Sequence, residues 1–166
     1  KESQYLKAQM ILRCLANRQV NVVIIYPNND KGSESIKRAI KEFDTNINMV
    51  SFPSLRFEYF LTLLKNAKFI IGNSSAGIRE AYYYNVPSIN IGDRQDGRER
   101  NNLVFDVDFI EDNISKTIRK VLDLKMVTTS HFDHGNGNSH ARFMEVLNST
   151  DWTKFKTQKK LNKDYD

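Results

Sequence analysis

The sequence predicts an α/β fold, a parallel sheet with helices on both faces. Three observations carry this. Short β-branched runs alternate along the chain with segments of helical spacing. The runs are continuously apolar, as strands covered on both faces should be. Most of them end in Pro, Gly, Asn or Ser, which close a strand and open a connection.

Tyr5 to Asn17 places Leu6, Met10, Ile11, Leu12 and Leu15 at helical spacing. Val20 to Tyr26 is the first strand, ended by Pro27-Asn28-Asn29-Asp30. Ser33 can cap a helix to about Phe43, with Ile36, Ala39, Ile40 and Phe43 on one face. Ile47 to Phe52 is the second strand, and Pro53-Ser54 follows. Phe57 to Asn66 is helical, with Phe57, Phe60, Leu61 and Leu64 inward. Lys68 to Ile71 is a third strand, Ser75 to Tyr84 a helix, Pro87 to Ile91 a fourth strand and Asn101 to Val107 a fifth. Asp112, near a cap, opens a helix to Leu124 with Ile114, Ile118, Val121 and Leu122 on one stripe. Ser139 to Leu147 is the last helix before a Lys-rich tail. Each crossover between parallel strands should be right-handed.

The 166 residues suit one domain, read as 1–150, with 151–166 a basic tail or crossover helix. The first residues, Lys1-Glu2-Ser3-Gln4-Tyr5, form neither a signal peptide nor a natural start, so the chain is expected to be cut from something longer. No apolar run approaches the roughly 20 residues that span a bilayer. With Cys14 as the single cysteine, no intrachain disulfide can form, which fits a reducing, cytoplasmic setting. Cys14 lies in an apolar stretch and reads as a small buried side chain. The net charge of +5 favours anionic partners. Much of it sits in the tail, and no aromatic-interleaved basic stripe suited to single-stranded nucleic acid is present.

Open parallel sheets bind ligands at the C-terminal ends of their strands. That rule selects Pro27–Asp30, Pro53–Leu55, Gly72–Gly77 and Gly92–Arg98, the most polar and Gly-rich junctions in the chain. In Ile70-Ile71-Gly72-Asn73-Ser74-Ser75-Ala76-Gly77 a strand runs through small residues into a helix. Small side chains let a ligand approach the backbone, and the first helical amides lack internal partners, so the turn suits a diphosphate. Glu80, further in, could accept from the vicinal hydroxyls of a ribose; the bland alternative is an N-cap serine and a solvated glutamate. Arg94, in Gly92-Asp93-Arg94-Gln95-Asp96-Gly97-Arg98, could reach phosphate or simply form a solvated turn. Gly135-Asn136-Gly137-Asn138-Ser139, with Arg142 one turn on, reads as a third ligand loop or as a flexible loop with a helix cap.

Here the pattern becomes specific. IGNSSAGIREA, VPSINIGDRQDGRER and HGNGNSHARF resemble successive motifs of the hydrolysing UDP-N-acetylglucosamine 2-epimerases. IIYPNNDKGSESI resembles that family's strand-turn, and LNSTDWTKFKTQKKL its C-terminal end, so the resemblance runs in order over nearly the whole chain. It implies a Rossmann-like domain, the C-terminal half of a glycosyltransferase-B-like two-domain enzyme. Ser74, Ser75 and Gly77 would cradle the UDP diphosphate and Glu80 the ribose. Arg94 would stand beside the nucleotide and Asn28 would line its pocket, while the Ser54-Leu55 to Phe60 stretch would receive the uracil. The implied chemistry is elimination of UDP across C1–C2 of a UDP-N-acetylhexosamine, then addition of water to give the 2-epimeric free sugar. The acids and bases at C2 would lie mostly in an N-terminal domain, so this part alone would bind UDP weakly and catalyse nothing. The resemblance further implies a homo-oligomeric whole protein; no cofactor is expected, and the charge and hydropathy patterns give no expectation of nucleic-acid or membrane partners. One departure is Gly135-Asn136-Gly137 where the family has Gly-Asp-Gly; Asp93 before Arg94 matches the bacterial sialic-acid branch.

The spacing of His131, His134 and His140 fits no zinc pattern. The sequons at Asn73, Asn113 and Asn148 read as chance in the absence of a signal peptide. Competing functions are a non-hydrolysing 2-epimerase or glycosyltransferase-B-type transferase, a non-enzymatic binding module, and a nucleic-acid binder. The module would carry acidic clusters at its strand ends, where this chain has serines and glycines.

Overall fold

In the computed structural model, residues 2–98, 100–125 and 137–154 are described. They belong to two compact units, Lys1–Thr129 and Ser130–Asp166. The first carries helix α1 (Glu2–Ala16), strand β1 (Val22–Ile25), α2 (Ser33–Lys41), β2 (Met49–Phe52), α3 (Phe57–Lys65), β3 (Ile70–Gly72), α4 (Glu80–Tyr83), β4 (Ser88–Ile91), β5 (Val104–Val107) and α5 (Glu111–Leu122). The second carries α6 (Ser139–Ser149) and a 3-10 turn, Trp152–Lys154.

Every strand pairing is parallel, as the alternation of elements predicts. The strands form two ladders rather than one: β1 with β2, and β3-β4-β5 in that order. An apolar cleft of about 650 Å³ separates them, lined by Val22, Val23 and Ile25 on one side and Phe69, Ile70 and Ile71 on the other. Double coverage holds fully only for β4, where all four residues are buried. Along β1 burial alternates, and Val23 and Ile25 are 43% and 39% exposed where the cleft opens.

One core nonetheless runs beneath both ladders. Leu12, Cys14 and Leu15 of α1, Ile40 of α2, Ile89 and Ile91 of β4, and Ile114, Ile118 and Val121 of α5 are buried in a single cluster. The stripe expected on α5 therefore faces inward, and so do Met10, Ile11, Leu12 and Leu15 of α1, whereas Leu6, near the start of α1, is 49% exposed. Ile89, Ile114 and Ile118 are fully buried, each worth about 1.5–3 kcal/mol of apolar transfer. Cys14 is buried in this core, and burial, with the nearby Glu111 carboxylate, raises its thiol pKa. Among the described residues no helix is long and apolar enough to cross a membrane.

Several local expectations are corrected. Gly32, not Ser33, is the N-cap of α2: its φ of 99° is left-handed, which glycine adopts without a Cβ penalty, and Ser33 is buried. Phe57 is 59% exposed at the start of α3, where Leu64 is the buried residue. Helix Ser75 to Tyr84 is broken into a 3-10 turn, Ser75–Gly77, and the single turn of α4. The amides of Gly77 and Ile78 bond three residues back, to Ser74 and Ser75, so the first turn winds too tightly to propagate. Asn85, at φ 54°, ends the segment and lets the Val86 amide return to the Ala81 carbonyl at 2.8 Å.

Candidate functional site

Strands β1, β3 and β4 each release a loop at their C-terminal ends, and contacts draw these loops to one edge. From β4, the side-chain amide of Gln95 donates to the Asn73 carbonyl after β3 at 2.7 Å. The Arg94 guanidinium stands 4.0 Å from the Asp30 carboxylate after β1. The Gly72–Gly77 turn thus lies with the loops carrying Asn28 and Arg94, as the strand-end rule predicts.

The turn itself follows from its small residues. Ser74 is extended and its hydroxyl accepts from the Ala76 amide at 3.3 Å, an N-cap arrangement. The Gly77 and Ile78 amides bond back to Ser74 and Ser75, so the turn leaves the Ser74 and Ser75 amides to an outside acceptor. At Gly77 packing sets a requirement of its own. It is buried against β4, and a Cβ there would stand 2.4 Å from Ser88 Oγ. Its lack of a side chain is demanded by packing of the turn on the sheet.

Glu80 opens α4 and is half-buried. Its Oε2 is buried and has no hydrogen-bond partner among the described residues. That observation argues against the solvated-glutamate alternative, because an unmet buried carboxylate oxygen is costly unless something donates to it. Arg94 is 60% exposed and its partner Asp30 71%. Pairs this exposed contribute little, so the guanidinium is free to exchange Asp30 for a stronger anion.

Asn28 is exposed in the loop after β1. Phe60 packs with Leu64, Ala81 and Val86, which sets it under the base of α4. Leu55 is half-buried between β2 and α3, and no described hydrogen bond or ion pair joins it to the other loops. Gly135 and Asn136, with His131 and His134, lie outside the described residues. Gly137, Asn138, Ser139 and Arg142 belong to the second unit, where the Arg142 amide bonds to the Asn138 carbonyl at 3.1 Å. Among the described residues no group of His, Cys, Asp or Glu could hold a metal ion.

Three contributors were not singled out from sequence. Gln95 is 3% exposed and joins two loops. Asn90, buried in β4, donates to Asp106 of β5 at 2.6 Å, and Arg100 meets the same carboxylate at 3.0 Å. Burial alone would raise the Asp106 pKa, but the hydrogen bonds and charge of Arg100 and Asn90 outweigh it and hold the group below its usual value. The one sequence signal is Gln95 itself, the single uncharged amide among the charged residues and glycines of Gly92–Arg98.

A family model described as UDP-N-acetylglucosamine 2-epimerase matches residues 1–148. The chain is 43% identical over 143 residues to the UDP-N-acetylglucosamine 2-epimerase of Neisseria meningitidis serogroup B, covering 85% of this chain and 38% of that protein. It is 29% identical over 146 residues to the hydrolysing UDP-N,N'-diacetylbacillosamine 2-epimerase of Legionella pneumophila, covering 88% and 38%. The fold matches that of a crystal structure of Methanocaldococcus jannaschii UDP-GlcNAc 2-epimerase in complex with UDP-GlcNAc and UDP. The TM-score is 0.66 at 22% identity, over 88% of this chain and 41% of that one. The chain therefore spans about two fifths of the length of these relatives, 38–41%.

Proposed function

The chain belongs to the UDP-N-acetylglucosamine 2-epimerase family, and on that premise we propose that it supplies the nucleotide-binding half of a hydrolysing enzyme of this type. The substrate is UDP-N-acetylglucosamine or a related UDP-N-acetylhexosamine, and the products are UDP and the 2-epimeric free sugar. The supporting observation is the meeting of three strand-end loops at one edge, tied by the Gln95–Asn73 and Arg94–Asp30 contacts.

In this reading the Ser74 and Ser75 amides, with the Ser74 and Ser75 hydroxyls, receive the diphosphate where the backbone runs close to Gly77. Arg94 leaves Asp30 to neutralise it. Glu80 accepts the ribose hydroxyls. Asn28, Leu55 and Phe60 border the base. During reaction a base removes the C2 proton, the C2 electron pair forms a C1=C2 double bond, and the C1–O bond breaks with UDP leaving as an anion. Water then adds its oxygen to C1 while a proton returns to C2 on the opposite face. The part of this assigned to the described loops is stabilisation of the departing diphosphate by fixed donors and a cation. The proton-transfer groups are assigned to a preceding domain, and most of the 151–166 tail lies outside the described residues.

Thermal shift with UDP tests the site. Ligand at 100-fold its Kd should add about 2.7 kcal/mol, read as a rise in Tm of several degrees. Ser74→Ala should weaken both UDP and inorganic pyrophosphate. Glu80→Ala should weaken UDP while leaving pyrophosphate unchanged, since only UDP carries the ribose. Stabilisation by UDP that survives both substitutions rejects the assignment. For the whole two-domain protein, free N-acetylmannosamine plus UDP as products supports the hydrolysing reading, and a retained UDP-sugar supports the non-hydrolysing epimerase.

A further inference from the structure

Gln95 sits within the Gly92–Arg98 loop, whose root and exit are fastened to its own sheet. At the root, Asn90 donates to the Gly92 carbonyl at 3.4 Å and to Asp106 at 2.6 Å. At the exit, Arg100 donates to the Arg98 carbonyl at 2.9 Å, pairs with Asp106 at 3.0 Å, and approaches Asp96 at 3.8 Å. The loop is therefore braced at its root and exit, while Asp93, Arg94, Asp96 and Gly97 between them are exposed. From it Gln95 reaches across to the Asn73 carbonyl at 2.7 Å, the residue directly before Ser74. The side chain is 3% exposed, and its Oε1 has no partner among the described residues. A buried amide with half its capacity unused is a poor stabilising device. Its geometry makes better sense as a positioning device.

We propose that Gln95 is the positioning residue of the pyrophosphate turn, fixing the Asn73–Ser74 peptide so that the Ser74 amide faces the anion before it arrives. This rests on the UDP reading above. With the Asn73 carbonyl held by Gln95, the peptide plane it shares with the Ser74 amide cannot rotate, and the donor direction is set. Preorganised donors bind and stabilise an anion without reordering at the moment of reaction. Gln95 touches no reacting atom, and it also holds the Arg94 loop in register with the turn.

Two substitutions test this by UDP titration, with the Tm of the ligand-free protein measured alongside. Gln95→Met has nearly the same shape, loses the donor and removes the unmet oxygen. Its ligand-free Tm should stay within a few degrees of wild type, while its Kd for UDP and for pyrophosphate rises about tenfold. Gln95→Glu keeps the shape but, when ionised, turns an acceptor toward the Asn73 carbonyl. Its affinity relative to wild type should recover as pH falls, because the protonated carboxyl can donate to that carbonyl. UDP affinity within twofold of wild type for Gln95→Met overturns the proposal and leaves the UDP site standing. So does a Gln95→Glu affinity ratio that is flat with pH. Failure of the wild-type chain to bind UDP or pyrophosphate overturns both.

Discussion

An alanine at Gly77 would set its methyl 2.4 Å from Ser88 Oγ and 3.6 Å from Ser88 Cβ. The first distance is a clash and the second an ordinary contact, so the hydroxyl alone stands in the way. Gly77→Ala should destabilise the fold by about 1–3 kcal/mol, the usual range for overpacking. The double variant with Ser88→Ala should recover most of that loss, as urea midpoints at constant m-value will show. Asp106 gives a pH-dependent counterpart. Burial works to raise its pKa, but Arg100 and Asn90 together lower it below the ordinary carboxylate value. A depressed folded pKa means stability present above the unfolded value, about 3.9, and lost as pH falls through the folded one. Asp106→Asn should therefore flatten the fall in Tm of the wild-type chain below about pH 4. An unchanged acid limb would show that the Asn90–Asp106–Arg100 contacts do not contribute.

Element by element, the sequence predicted the order and type of each strand and long helix because each depends on its own residues. β-branched runs became β1 to β4, and stripes at helical spacing became α1 and α5. What it did not reveal depends on residues elsewhere in the chain. The division into two ladders concerns which edges meet, and periodicity carries no information about edges. The break between Gly77 and Glu80 follows from the approach of Gly77 to Ser88 and the tight bonds to Ser74 and Ser75, which spacing cannot show. In the site, Ser74 and Arg94 were legible because a strand running into small or charged residues has a chemical meaning. Gln95 was not, because its partner is a backbone carbonyl 22 residues away. One element end also carries a cost the sequence conceals. Gln19, just past α1, adopts φ 53° and is exposed. A non-glycine residue there loses about 1–2 kcal/mol to the Cβ contact, and glycine returns part of the difference through its greater unfolded freedom. Gln19→Gly should raise stability by about 0.5–1 kcal/mol, measured as a higher urea midpoint. A lower midpoint would mean that the Gln19 side chain contributes something its exposure does not suggest.

Across the molecule, the proposed ligand touches both ladders while the strands between them do not bond. The Val22 amide bonds to Asn48 at 2.8 Å and the Tyr26 amide to Phe52 at 3.0 Å, both toward β2. Alternate residues of a parallel strand point their amides the same way, so the Val23 and Ile25 amides face the cleft. At the two ends of β4 the Ser88 amide bonds to Leu103 at 2.9 Å and the Gly92 amide to Val107 at 3.1 Å, both on the β5 side. Hydrogen exchange should follow this pattern, with Val23 and Ile25 exchanging well ahead of Val22, Ser88 and Gly92, because cleft-facing amides need no ladder to open. Asn28 and Asp30 leave the β1–β2 ladder, whereas Ser74, Glu80 and Arg94 leave β3-β4-β5. A nucleotide held by both groups lowers the free energy of arrangements in which the ladders stay together, by as much as it binds those more tightly. Saturating UDP should then slow exchange at Val23 and Ile25, although neither lies in a loop that contacts it. Pyrophosphate, confined to the Ser74 turn and Arg94, should protect the turn and leave β1 unchanged. Equal protection of β1 by the two ligands would mean that the nucleoside is not held from the β1 side, and Asn28 would lose its assigned place in the site.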